Sequence, residues 1–235
     1  MSLVDIAAGA IFIACWIAYD PLLRQAGGGR GAIKVDMMAI REAWMRRLVA
    51  RENRIADSNL IGHQLSTASF FASTNLLLIA AAAGLLFGGE TTFNNLRALD
   101  IAAPASNWLL QVKIALVVAT LTKGLLDFIW AIRQMNYLLA LFGAAPERSE
   151  VEHHATFVRA ITQVLNPAYA SFNLGVRTYY FALAAATWIL SPWAMIAASL
   201  GTFILLFRRQ TSSEAAIGMR EARRVLEASQ RRDDY

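Results

Sequence analysis

The sequence has one cysteine, five prolines, three histidines and none of the short strings that announce catalysis. Cys15 alone cannot form an intrachain disulfide, and its place inside an apolar run predicts a packed thiol rather than a reactive one. No G-x-S-x-G, H-E-x-x-H, C-x-x-C or P-loop is present. The glycine-rich stretch Gly27-Gly28-Gly29-Arg30-Gly31 lacks Walker spacing and a following Lys-Ser or Lys-Thr pair, so it reads as a flexible linker. Acidic residues are the scarcer charge, 17 against 22 Lys and Arg. The net +5 does not point to nucleic acid, because the bases lie between apolar runs, where they orient a membrane chain and meet anionic lipid headgroups. No cofactor and no metal is expected.

What the chain has in quantity is apolar length. It is 57% hydrophobic and 17% charged, with a mean hydropathy of +0.42. That is too apolar for an ordinary soluble domain and too polar to be wholly embedded. The predicted fold class is all-α, a polytopic transmembrane helical bundle with cytoplasmic amphipathic helices. The run from Leu3 to Tyr19 follows no basic region and precedes Asp20-Pro21, so it is expected to remain as a helix that Pro21 ends. Ala10, Ala14 and Ala18 give it a small-residue stripe. From Asp36 to Arg54, Met37, Ile40, Trp44 and Leu48 recur at helical spacing among five arginines, the pattern of an interfacial amphipathic helix.

A second membrane helix starts near Asp57-Ser58, is apolar or small from about 70 to 87, and stops at Gly88-Gly89. The connection to Ser106 carries only Arg97 as a base, beside Glu90 and Asp100, and reads as the outer side. A third helix runs from near Asn107 toward Phe142, longer than a bilayer needs. A polar helix from about Glu147 to Leu165 should break at Asn166-Pro167.

The last apolar stretch, Tyr179 to Phe207, is long for one pass and short for two, and Ser191-Pro192 interrupts it. A single pass would put Arg208, Arg209, Arg220, Arg223, Arg224, Arg231 and Arg232 opposite the Arg-rich linker after the first helix, against the positive-inside bias. A turn at Ser191-Pro192 restores them to the cytoplasmic side, with Trp188 and Trp193 bracketing it at the outer interface. Five passes are therefore expected, at about 3–19, 68–87, 107–128, 172–190 and 193–207, with four as the alternative. Residues 1–209 form the membrane domain and 210–235 a cytoplasmic C-terminal helix. The protein is placed in the inner membrane, N-terminus outside and C-terminus in the cytoplasm.

Polar residues recur at membrane depth with spacings of three and four: Asn59, Gly62, Ser66, Ser69 and Ser73; Lys123, Asp127, Trp130, Gln134 and Tyr137; Tyr169, Asn173, Arg177 and Tyr180. Small residues alone often mark close helix packing. Arg177 is sharper, because helix rise puts it about 8 Å inside the inner boundary, where an unpaired charge is expensive. Asp127 and Arg177 are expected to share one polar cluster with Asn173 and Ser69. Lys123 and Asp127 read either as an i, i+4 pair with a snorkelling lysine or as part of a hydrated vestibule. The candidate solute or ion pathway comprises Asp127, Arg177, Lys123, Asn173, Ser66, Ser69, Tyr180 and Gln134. Its surplus of bases, with Arg133, would favour anions. Glu150, His153 and His154 resemble half of a di-iron motif without its second half, and His63 stands alone.

Three strings, Asp57-Ser58-Asn59-Leu60 through Ser69-Phe70-Phe71-Ala72-Ser73-Thr74, Phe128 through Tyr137, and Ser171 through Phe181, resemble the uncharacterised membrane-protein family called domain of unknown function 599. The resemblance spans most of the chain up to Arg209 and implies a membrane class, with no activity, cofactor or catalytic residue to carry over. Three functions remain open. The first is a non-catalytic homo-oligomer with a permeation role for anions or small solutes. The second is an accessory or scaffolding subunit of a membrane complex, using the amphipathic helices as partner surfaces. The third is an intramembrane enzyme built on Glu150, His153 and His154.

Overall fold

A computed structural model describes residues 2–26, 33–89 and 106–233. The linker 27–32 and the connection holding Glu90, Arg97 and Asp100 lie outside the described residues. The described residues form seven helices and no strand: α1 (Leu3–Ala26), α2 (Ile33–Val49), α3 (Ile55–Phe87), α4 (Asn107–Gly143), α5 (Val151–Leu190), α6 (Pro192–Thr211) and α7 (Glu214–Asp233).

Local chemistry sets most helix starts. Ser2 and Asp5 cap α1 reciprocally, Asp5 N–H donating to Ser2 Oγ at 3.2 Å and Ser2 Oγ to Asp5 Oδ2 at 2.7 Å. Ser106, Ser191 and Ser213 each accept from the amide three residues on, opening α4, α6 and α7. Behind Ser191, Pro192 takes the first helical position, where its missing N–H leaves no bond unmade. At the far end of α3, Gly89 adopts a φ of +72°, and the helix stops at Phe87 as the double glycine predicts.

Two expected breaks do not occur. Pro21 lies inside α1 and Pro167 inside α5. Each proline deprives the carbonyl four residues earlier of its partner. Around Pro167 the helix is held on both sides, Leu165 and Ala168 being fully buried, and the freed carbonyl belongs to exposed Gln163. The amphipathic face expected on α2 is also different. Its buried residues are Asp36, Arg41, Ala43, Met45, Leu48 and Val49, so two charges lie on the inner face and Met37, Ile40 and Trp44 flank it.

Among the described residues three helices are long and apolar enough to cross a membrane: Leu3–Leu23, Ile55–Phe87 and Asn107–Gly143. In α5 the apolar half contains Asn173 and Arg177, and α6 runs into Arg208 and Arg209, which lowers both below a continuous span. At 1.5 Å per residue α3, α4 and α5 measure about 50, 55 and 60 Å, well beyond a hydrocarbon core of about 30 Å.

The chain divides into two units. Unit 1 comprises Met1–Pro21, Phe70–Phe128 and Asn173–Leu206. Its apolar cluster joins Ala8, Phe12 and Cys15 of α1 to Leu109, Phe181, Ala184, Ala185, Trp188 and Met195. Helix α5 runs antiparallel to α1: Trp188 meets Asp5, Phe181 meets Phe12 and Trp16, and Arg177 meets Asp20. It also runs antiparallel to α4, which approaches so closely that a Cβ on Gly175 would sit 2.7 Å from the Phe128 ring. Unit 2 comprises Leu22–Ser69, Ile129–Phe172 and Phe207–Tyr235. Met45, Leu48, Ile61, Met135, Leu138, Ile161 and Leu165 form its centre, and α7 packs on α2.

Candidate functional site

In unit 1 the charged groups gather at two levels of the bundle. At one level Asp5 accepts a hydrogen bond from Trp188 Nε1 at 3.0 Å, and the Lys113 ammonium lies 5.8 Å from the Trp188 ring centre. Both charged residues are almost completely buried. At the other level the Arg177 guanidinium grips Asp20 with two parallel bonds, 2.7 and 2.9 Å, and stands over the Tyr19 ring at 4.8 Å. The Tyr19 ring in turn meets the edge of Phe203 from α6 at 5.8 Å. Bidentate Arg–carboxylate geometry with an aromatic face is the strong form of such a contact.

Around the Arg177 level the helices also meet through rings and one buried amide. Phe71, Phe128 and Tyr179 form a triangle with centroids 5.7 to 5.9 Å apart, and Tyr179 donates to the Phe71 carbonyl at 2.7 Å. Asn75 donates to the Leu121 carbonyl of α4 at 3.0 Å, against Gly124.

The expected pairing of Asp127 with Arg177 is not the one seen. Arg177 takes Asp20, not Asp127, as its carboxylate, and Asp127 is held by Lys123 at 2.5 and 2.6 Å along the same helix. The physical reason is reach: Asp127 already has a cation one turn away, whereas α1 presents Asp20 to the face of α5 that carries Arg177. Asn173 is exposed and Lys123 half-exposed, while Tyr180 is partly covered. Ser66, Ser69 and Gln134 belong to unit 2, the two serines exposed and Gln134 buried with its amide nitrogen unpartnered. Asp5, Asp20 and Lys113 escaped the sequence reading. A charge within an otherwise apolar helix was the available signal for all three.

Unit 2 buries a different set. Asp57 is fully buried and accepts from Trp44 Nε1 at 2.6 Å and Arg51 Nη1 at 2.8 Å. Asp36 is buried and accepts from Arg223 of α7 at 3.1 Å. Each carboxylate keeps one oxygen, Oδ2, without a protein partner. Arg54 donates to the carbonyls of Ala145 and Pro146, satisfying orphan groups just past the end of α4. Arg41 is buried against the Tyr169 ring, 4.1 Å from its centre, with Asn166 Oδ1 3.4 Å from Nη1. Burial pulls the Arg41 guanidinium below its ordinary value and pushes the Tyr169 phenol above its own.

The Glu150–His154 group is turned to other work. Glu150 accepts from the Glu147 amide at 2.9 Å and the His154 ring meets the Glu147 carbonyl at 2.9 Å, both at the surface. Among the described residues no three His, Cys, Asp or Glu side chains are placed to hold a metal ion. Among the described residues the arrangement offers polar contacts and ion pairs between helices.

No curated protein and no solved structure matches the chain. One family does, described as "Protein of unknown function, DUF599", and it covers residues 7–215. That range contains Asp20, Arg177, Arg41 and the three strings quoted from the sequence, and the chain belongs to this family.

Proposed function

We propose that the protein is a multi-pass protein of the inner membrane with five passes, at about 3–19, 68–87, 107–128, 172–190 and 193–207, its N-terminus outside and its C-terminus cytoplasmic. The support for the last two passes is a matter of level within unit 1. From Asp5 to Asp20 helix α1 rises about 22 Å. Trp188 meets Asp5, while Arg177 and Phe203 both meet the Tyr19–Asp20 turn, so α5 and α6 each traverse the depth that α1 traverses. The turn between them at Ser191-Pro192 then returns Arg208 to Arg232 to the side of Arg41 to Arg54. A reporter fused after Gln210 tests this: activity on the cytoplasmic side is expected, and activity outside restores four passes.

Within that membrane reading the protein is non-catalytic and acts as a homo-oligomer that passes small solutes between its copies. The observation that carries this is the exposure of Lys123 within the proposed 107–128 pass, with Ser69 and Asn173 exposed at the inner ends of the 68–87 and 172–190 passes. Polar groups at membrane depth are covered by protein or by water. The anion preference expected from Lys123, Arg133 and Arg177 rests on a smaller surplus, since Asp127 and Asp20 pair with two of the three. Small solutes, uncharged or anionic, are the proposed class. The test is swelling of liposomes carrying the purified protein, with mass in detergent measured in parallel. An oligomer that conducts glycerol, and conducts less after Ser69→Leu with Asn173→Leu, supports permeation. An oligomer without flux supports the accessory or scaffolding reading, and a monomer without flux removes both oligomeric proposals.

A further inference from the structure

Among the described residues of unit 2, Arg41 is the buried ionisable group whose charge goes unanswered. Asp36 has Arg223 and Asp57 has Arg51. Arg41 is 8% exposed, yet among the described residues no carboxylate lies within ion-pair distance of it. Its contacts are the Tyr169 face and one neutral acceptor, Asn166 Oδ1, at the long distance of 3.4 Å. Nε is buried with no acceptor at all. Tyr169 supplies no counter-charge, because burial keeps its phenol protonated well above neutral pH. A guanidinium removed from water needs both an opposite charge and filled N–H bonds, and Arg41 has neither. The unfilled edge, Nε and Nη2, is the edge that takes a two-oxygen anion in parallel bonds.

We infer that Arg41, backed by Tyr169 and steadied by Asn166, is a binding site for a phosphate-type oxyanion, either the phosphodiester of an anionic lipid headgroup or free phosphate. The ligand supplies the missing charge and two acceptors, and the Tyr169 ring holds the guanidinium plane for it. Arg41 lies in α2, outside every helix that is apolar enough to span, which places the site where headgroups or cytosolic anions reach it. The site is independent of the permeation reading.

The test is thermal unfolding of the full chain followed by intrinsic fluorescence, in two arms. One uses neutral detergent with inorganic phosphate against chloride at matched ionic strength. The other uses phosphatidylcholine nanodiscs with and without phosphatidylglycerol. A ligand that binds the folded state raises the midpoint with its concentration. Stabilisation in the phosphate arm identifies a small oxyanion as ligand, and stabilisation in the phosphatidylglycerol arm alone identifies a headgroup. In either case R41Q is expected to lose the response, R41K to bind at least about tenfold more weakly because the two-bond fork is gone, and R46Q, at an exposed pair with Glu42, to respond like the parent. If R41Q does not fold, R41K against R46Q carries the comparison. No stabilisation of the parent in either arm, or an R41K response equal to that of the parent, overturns the inference.

Discussion

In unit 1 Asp20 is met by two parallel bonds from one arginine, whereas in unit 2 Asp36 and Asp57 are each bound through one oxygen and leave the other unpartnered. Arg177 of the first pair is 13% exposed and Asp20 46%, so the two bonds satisfy a guanidinium that burial would otherwise leave costly. The second set lies among the Arg-rich segments, where an ordered water can complete a carboxylate. In unit 1 the Asp20–Arg177 pair is closed within protein, although Asn75 Oδ1, Asn107 Oδ1 and Ser199 Oγ have no protein partner there. Unit 2 carries polar groups whose completion depends on what lies outside it, and Arg41 is the extreme case.

The sharpest way to break this contrast is to open the closed pair. Arg177→Ala leaves Asp20 without its cation and should lower stability by about 3 kcal/mol, the low end for a buried pair because Asp20 is half-exposed. A double-mutant cycle with Asp20→Asn should show coupling of about 1 kcal/mol or more, while Arg177→Gln and Asp127→Asn should add. Coupling to Asp127 instead would overturn the pairing described above. Next in size, Gly175→Ala should cost about 2 kcal/mol by driving a methyl into the Phe128 ring, and Phe128→Leu should recover part of it. Gly62→Ala meets nothing within 4 Å and should be neutral or stabilising by up to about 1 kcal/mol. A Gly62→Ala chain that is stable but no longer oligomeric would place that face in the contact between copies. Arg223→Gln should cost about 1.5 kcal/mol and loosen α7, read as faster proteolysis after Thr211. Lys123→Gln should be the mildest, about 0.4 kcal/mol, as for an exposed i, i+4 pair.

How far the chain could be read in advance followed the range of each interaction. The stop at Phe87, the start at Asn107 and the corner between Leu190 and Pro192 rest on neighbours within four residues, and all three were legible in Gly88-Gly89, Ser106 and Ser191-Pro192. Pro21 and Pro167 were misread, because whether a helix survives a proline depends on packing around it, and the segments that bury Leu165 and Ala168 beside Pro167 are distant in sequence. The candidate site was legible in part. Arg177 stood out as a charge too deep to be alone, but its partner lies 157 residues away, and spacing along one helix holds no information about that. Asp20 was taken as a helix terminator together with Pro21. The buried face of α2 was hidden for a related reason: Asp36 and Arg41 look solvent-facing by type, and only α7 and α5 make them interior.

The separation of Asp20 from Arg177 also bears on how the chain is made. At a synthesis rate of about 5 to 20 residues per second, the 157 residues between them take roughly 8 to 30 seconds to emerge. Throughout that interval the first helix holds Asp20 without the two bonds that Arg177 later supplies. When Arg177 arrives, the pair clamps the earliest segment to one of the latest. In the five-pass reading, biogenesis ends not with the last residue threaded but with the closing of that clasp, and a chain truncated before Arg177 would leave the membrane with an unlatched first helix for quality-control proteases to find.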